Sequence, residues 1–162
     1  MRRGYFVAGL GAAQFALPGA VDRLRAARDE LVPSELRTVA ATDPAQPYGA
    51  ALAWPTTGAG HPARAAGARV VLWGGRPLGF LERGGRRLRT FPVEGADTDD
   101  TVAARSALAA ALGRLVGSGR VRSLELTEVD GVPTRESPLV ADLREAGFVD
   151  GYRGLVLRMS RR

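Results

Sequence analysis

At 162 residues the chain fits one domain, or one domain with part of a second, and it can bury roughly two-thirds of its unfolded surface. It has no cysteine, one histidine, and 23 basic residues, all arginine, against 17 acids, for a net charge of +6. These counts exclude disulfides, thiolate nucleophiles, zinc-cysteine sites and, for want of lysine, any Walker-type phosphate loop, while the positive balance favours a polyanionic partner.

The N-terminal residues predict a β-hairpin over 4–17, with Tyr5-Phe6-Val7 and Gln14-Phe15-Ala16-Leu17 as its arms and glycines at its tip. Pro18 suits a first helical turn, and Ala20, Leu24, Ala27 and Leu31 follow at helical spacing up to Pro33. A hairpin with one helix cannot bury a core alone. Residues 1–32 therefore read as the wing of a winged helix with its following helix, and 33–162 as a second, α+β domain. No apolar run approaches the roughly 18 residues of a membrane span, and Gly9-Leu10-Gly11 with Gln14 interrupts any signal-peptide core. The expected setting is cytoplasmic and nucleoid-associated, with no membrane partner.

A strand is expected at 36–41, followed by a Pro- and Gly-rich passage from Thr42 to Pro62 that is too long for a simple turn. Its one histidine, His61, reads as a solvated loop side chain. Then Arg69–Trp73, Leu78–Arg83 and Arg86–Phe91, separated by Gly74-Gly75 and Gly84-Gly85, form a three-stranded meander. Asp97 to Asp100 open a helix that buries Ala104, Leu108, Ala111, Leu112 and Leu115. A strand over 121–129, a helix begun by Ser137-Pro138, and a last strand over 152–159 complete the order. Mixed strands and helices point to α+β: a curved antiparallel sheet or a small β-barrel with two or three helices.

Two long stretches carry a family resemblance. Arg3-Gly4-Tyr5-Phe6-Val7-Ala8-Gly9-Leu10-Gly11-Ala12-Ala13-Gln14-Phe15-Ala16 and Ala41-Thr42-Asp43-Pro44-Ala45-Gln46-Pro47-Tyr48-Gly49-Ala50-Ala51-Leu52 resemble signatures of the Lhr (large helicase-related) DEAD/H-box DNA helicases. The Leu81–Gly85 turn, Ala146-Gly147-Phe148 and Arg153-Gly154-Leu155 extend the likeness to the end of the chain. The resemblance implies the C-terminal region of such a helicase: a last wing and a terminal barrel-like domain, linked to DNA repair. ATP and magnesium belong to motor domains with no counterpart here, so no cofactor is expected on this chain. The expected partners are DNA, single-stranded or duplex, and the upstream helicase portion or other copies.

The candidate site residues follow from charge and aromatic content. Between Arg64 and Phe91 stand seven arginines and a single acid, Glu82. Arg83, Arg86, Arg87 and Arg89 flank one Gly-Gly reversal, and guanidinium forks grip phosphates at two points. Arg2, Arg3 and Tyr5 on the wing form a second candidate surface, with Gln14 weaker. Some Lhr proteins are associated with uracil excision, and Asp43, Tyr48 and Trp54 on one proline-stiffened loop offer a carboxylate and stacking rings for an extruded base. Asp43 is the candidate catalytic residue, although Asp before Pro is also a common turn starter. Arg158 to Arg162 contain no acidic side chain, so a catalytic Asp or Glu is not expected there. Three readings stay open: a DNA-binding accessory domain, a base-excision domain and a protein-assembly scaffold.

Overall fold

The computed structural model describes residues 2–4, 14–29, 35–57, 60–93 and 97–159. It divides into two compact units, Met1–Ser34 and Glu35–Arg162.

In the first unit, β1 (Arg2–Gly4) pairs antiparallel with β2 (Gln14–Ala16), Arg2 opposite Ala16 and Gly4 opposite Gln14. The arm expected at Tyr5-Phe6-Val7 lies outside the described residues. Helix α1 (Ala20–Asp29) follows Pro18 and Gly19, with Gly19 at φ +80°. Leu24, placed on the buried stripe by its spacing, is 56% exposed, and Phe15 and Leu17 are 59% and 71% exposed. Large apolar groups so open to water bring little burial energy to offset ordering the chain. Amide exchange should therefore be fast across 14–29 and slow across 69–91. Uniformly slow exchange would contradict this.

The second unit is α+β. Its larger sheet runs β3 (Leu36–Ala40), β4 (Arg69–Trp73), β5 (Arg76–Leu81), β6 (Arg87–Thr90), β8 (Glu128–Val129), β9 (Val132–Pro133) in spatial order. All pairings are antiparallel except β6 with β8, which is parallel. A smaller sheet has the order β10 (Val149–Asp150), β11 (Leu155–Arg158), β7 (Ser123–Leu126). The helices are α2 (Thr98–Gly117) and α3 (Val140–Glu145), with a 3₁₀ turn at Thr134–Glu136.

Closure into a barrel is not seen: the larger sheet is open, with β3 and β9 as its edges. The reason is legible in β8 and β9, which are two residues long. Pro133 in β9 has no N–H with which to continue a ladder. The single strand expected over 121–129 is also divided. It breaks at Thr127, whose N–H and hydroxyl both donate to the Arg86 carbonyl (2.8 and 3.2 Å). On one side β7 joins β11, and on the other β8 joins β6.

The larger sheet is covered on both faces, which is why β5 is buried at every position after Arg76. One face meets α2. A Cβ on Gly79 would lie 2.6 Å from Leu108 Cδ1, so a glycine in mid-strand lets the helix approach. Val71, Leu78, Leu81 and Leu88 form this core with Leu108, Leu112, Leu115 and Leu126. On the other face Val70, Phe80 and Phe91 pack with Ala41, Ala68 and Trp54. The long Pro-rich passage is thus the second cover of the sheet. Asp97 caps α2 by accepting from the Asp100 N–H at 2.8 Å. Ser137 Oγ accepts from the Leu139 N–H, and α3 begins at Val140, later than the Ser137-Pro138 signal placed it.

Candidate nucleic-acid interface

The reversal between β5 and β6 is built on Gly84 (φ +88°) and Gly85 (φ +73°), conformations that side-chain-bearing residues rarely adopt. Glu82 N–H donates to the Arg87 carbonyl (2.9 Å) and Gly85 N–H to the Glu82 carbonyl (3.0 Å). A Cβ on Gly85 would come within 2.9 Å of Leu124, so the turn is seated on β7. Arg86 is fixed through its carbonyl to Thr127 and Glu128, while its side chain is exposed. The turn is therefore a rigid mount for arginines rather than a loose loop.

The four arginines of this turn divide by partner. Arg89 points inward: its Nε and Nη2 donate to Glu82 Oε1 at 3.0 and 2.6 Å, and its side chain is only 18% exposed. Arg87 makes longer pairs, 3.9 Å to Glu82 and 3.5 Å to Glu128, from an exposed position. Arg83 and Arg86 are exposed and make no ion pair among the described residues. A fourth guanidinium joins from a distant part of the chain: Arg83, Arg86, Arg87 and Arg153 line one open depression with Glu82 and Thr127. Arg153 follows Tyr152 in the turn between β10 and β11, a juxtaposition that depends on the division at Thr127. Sequence reasoning missed Arg153. It lies about 66 residues from Arg87, and its one signal was the Arg-Gly-Leu ending of the family resemblance.

The Pro-rich loop is held from within. Gln46 is 1% exposed; its side-chain amide donates to the Ala41 and Tyr48 carbonyls (3.3 and 2.9 Å) and accepts from the Tyr48 N–H. Arg64 reaches the Gln46, Asp43 and Tyr48 carbonyls at 2.5, 3.1 and 3.4 Å. Of the seven arginines between Arg64 and Phe91, Arg64 thus staples this loop. Asp43 Oδ1 accepts from the Ala45 N–H at 2.9 Å, an Asx turn. Trp54 stacks on Phe91 (centroids 5.7 Å apart, 6° between planes) and on Tyr48 (5.8 Å, 26°), and meets Phe80 edge-on. Tyr48 Oη lies 3.4 Å from the Gly75 carbonyl. Burial raises the Tyr48 phenol above its ordinary pKa, with the Arg76 guanidinium opposing. Both rings are committed to internal stacking in this arrangement.

The remaining candidates are placed as follows. Arg2 and Arg3 lie on β1 and Gln14 on β2, while Tyr5 falls outside the described residues. His61 is exposed. A separate groove of about 530 Å³ runs between Phe91, Arg105, Leu108 and Asp130. Asp130, at φ +52°, spends its carboxylate on the Thr90 N–H (2.7 Å) and hydroxyl (2.6 Å). Among the described residues no cluster of three or more His, Asp or Glu is placed to hold a metal ion.

Comparison with known proteins sets these features in a family. A family model described as large helicase-related protein, winged-helix domain, matches residues 1–36. The Lhr helicase/probable uracil glycosylase of Mycolicibacterium smegmatis is 46% identical over 97% of this chain. The Lhr helicase/uracil glycosylase of Escherichia coli is 38% identical over 94% of it. The chain belongs to the Lhr family. It spans 11% and 10% of the length of these two Lhr proteins, and corresponds to a C-terminal region of them. The winged-helix match covers the first compact unit and two residues beyond it, whereas the arginine depression lies wholly in the second unit.

Proposed function

We propose that this chain is a DNA-engaging accessory region of an Lhr-type repair helicase, contacting the nucleic-acid backbone through the depression lined by Arg83, Arg86, Arg87 and Arg153. The observation that carries the reading is the convergence of four guanidinium groups from two separate turns, three of them (Arg83, Arg86 and Arg153) without an ion pair among the described residues. Like charges so close repel one another, and a phosphate backbone relieves that repulsion by displacing its own counterions. The wing residues Arg2, Arg3 and Tyr5, with Gln14, form a second proposed contact. The rest of the helicase, or further copies, are the proposed protein partners. No helix among the described residues is long and apolar enough to cross a membrane. The test is binding of the intact chain to DNA across a salt series. Affinity that falls steeply with salt supports the proposal. Absence of binding at 50 mM salt overturns it and leaves an assembly role.

A second reading, base excision, is favoured by the glycosylase in both relatives' names. In this reading Asp43 is the proposed carboxylate, beside Tyr48 and Trp54, stabilising positive charge on the sugar as the glycosidic bond breaks. Its Oδ1 is occupied by the turn, and Oδ2 has no hydrogen-bond partner among the described residues. Asp43→Asn keeps an acceptor oxygen for Ala45, so its melting temperature should match the wild type. Uracil release from a single strand should fall about a hundredfold or more. Equal release by both proteins removes Asp43 from the chemistry.

A further inference from the structure

We infer that Tyr152 is a base-stacking platform beside the arginine depression, and that this site takes single-stranded nucleic acid in preference to duplex. The inference rests on the reading of the depression as a phosphate site and adds what that site binds. Tyr152 is 93% exposed, the most open of the large apolar side chains described. A single exposed aromatic on a mobile loop needs no explanation. This one sits on a turn fixed from several directions. Gly151 N–H donates to the Gly154 carbonyl at 2.8 Å, closing the two-residue tip Tyr152-Arg153. Asp150, at the base of the tip, is held by Arg135 at 3.4 Å and Arg144 at 3.1 Å, and Arg135 also donates to the Gly151 carbonyl. Gly154 lies so near β7 that a Cβ there would be 1.9 Å from the Leu126 carbonyl oxygen.

The partner follows from the chemistry of the two tip residues. Arg153 lines the depression with Arg83, Arg86 and Arg87, and its Cα is about 3.8 Å from that of Tyr152. An exposed phenol ring on the chain neighbour of a residue that lines the arginine depression matches a polymer that carries anionic groups and flat apolar faces at neighbouring positions. A single strand presents both. A duplex presents the phosphates but keeps its base faces stacked inside. Stacking on an aromatic side chain contributes about 1–3 kcal/mol per base and tolerates any base, which corresponds to roughly five- to 150-fold in affinity.

The experiment compares Tyr152→Ala, Tyr152→Phe and the wild type by fluorescence anisotropy. The probes are an oligothymidine strand, a duplex of equal length, and a strand of abasic sugar-phosphate units. The wild type should bind oligothymidine more tightly than duplex. Tyr152→Ala should bind oligothymidine about tenfold more weakly with an unchanged salt slope, because no charge is removed, and Tyr152→Phe should stay within twofold of the wild type. Duplex and abasic-strand affinities should be equal in all three proteins, as should melting temperatures for so exposed a side chain. If Tyr152→Ala keeps full affinity for oligothymidine while joint replacement of Arg83, Arg86, Arg87 and Arg153 by alanine loses it, the stacking role falls and the phosphate reading stands. If the duplex binds as tightly as the strand, the single-strand preference falls. If neither Tyr152 nor arginine substitution changes binding, both readings fall together.

Discussion

Replacing Arg83, Arg86, Arg87 and Arg153 together with alanine is expected to weaken binding to duplex DNA by about two to three orders of magnitude near 0.1 M salt. The slope of log affinity against log salt should flatten by up to about 3.6, since each phosphate contact contributes about 0.9. The loss should be uniform across sequences, because these contacts go to the backbone and carry no base information. All four side chains are exposed, so the fold should survive and the melting temperature should hardly move. Arg89→Ala serves as the contrast. Arg89 is paired to Glu82 with little exposure, and its removal leaves a half-buried carboxylate without its close partner. That variant should lose stability and keep most of the salt slope. Should the quadruple variant bind with unaltered affinity and slope, the depression is a solvated surface and the DNA contact lies elsewhere.

The separation of Arg89 from its neighbours shows how far sequence reasoning reached. The Gly84-Gly85 reversal, the α2 start at Asp97 and its buried stripe were readable because each depends on local backbone preference or a 3.6-residue period. The same reasoning grouped Arg89 with Arg83, Arg86 and Arg87, since all four flank the turn. Arg83 and Arg86 lie outside β6, and Arg87 and Arg89 share one of its faces; what divides them is Glu82, which takes Arg89 as its close partner. Arg153 was less accessible still. Its place in the depression requires the chain to switch sheets at Thr127, and the pattern over 121–129 reads as one continuous strand. The barrel expectation failed for a related reason. Alternation along strands reports that a sheet curves around a core, whereas closure depends on edge length, and β8 and β9 are too short to continue it. The Pro-rich passage was recognised as too long for a turn, but its role as the second cover of the sheet depends on Trp54 meeting Phe80 and Phe91, a contact between distant segments.

Gly154 is where the largest stability loss from a single methyl group is expected. Its φ lies outside the left-handed region, so backbone conformation alone would accept alanine. The obstacle is space: the added Cβ would stand 1.9 Å from the Leu126 carbonyl oxygen, 2.8 Å from its carbon and 2.9 Å from Thr127 Cα. These are backbone atoms of β7 and of the point where the chain leaves for β8, so no side chain can rotate away. Relief requires β11 to separate from β7, at the cost of the pairing of Leu155 with Leu126 and the packing of Leu155, which is fully buried. Overpacking commonly costs 1–3 kcal/mol, and with backbone as the obstacle Gly154→Ala should reach about 3 kcal/mol. For a chain of this size that lowers the melting temperature by about 6–12 °C. Gly84→Ala is the matched control. There the space is open and only the positive φ of +88° is unfavourable, so about 1 kcal/mol is expected. Equal, small losses for both would mean that β7 and β11 can part cheaply, and the turn carrying Tyr152 and Arg153 would lose the rigidity on which its proposed binding role depends.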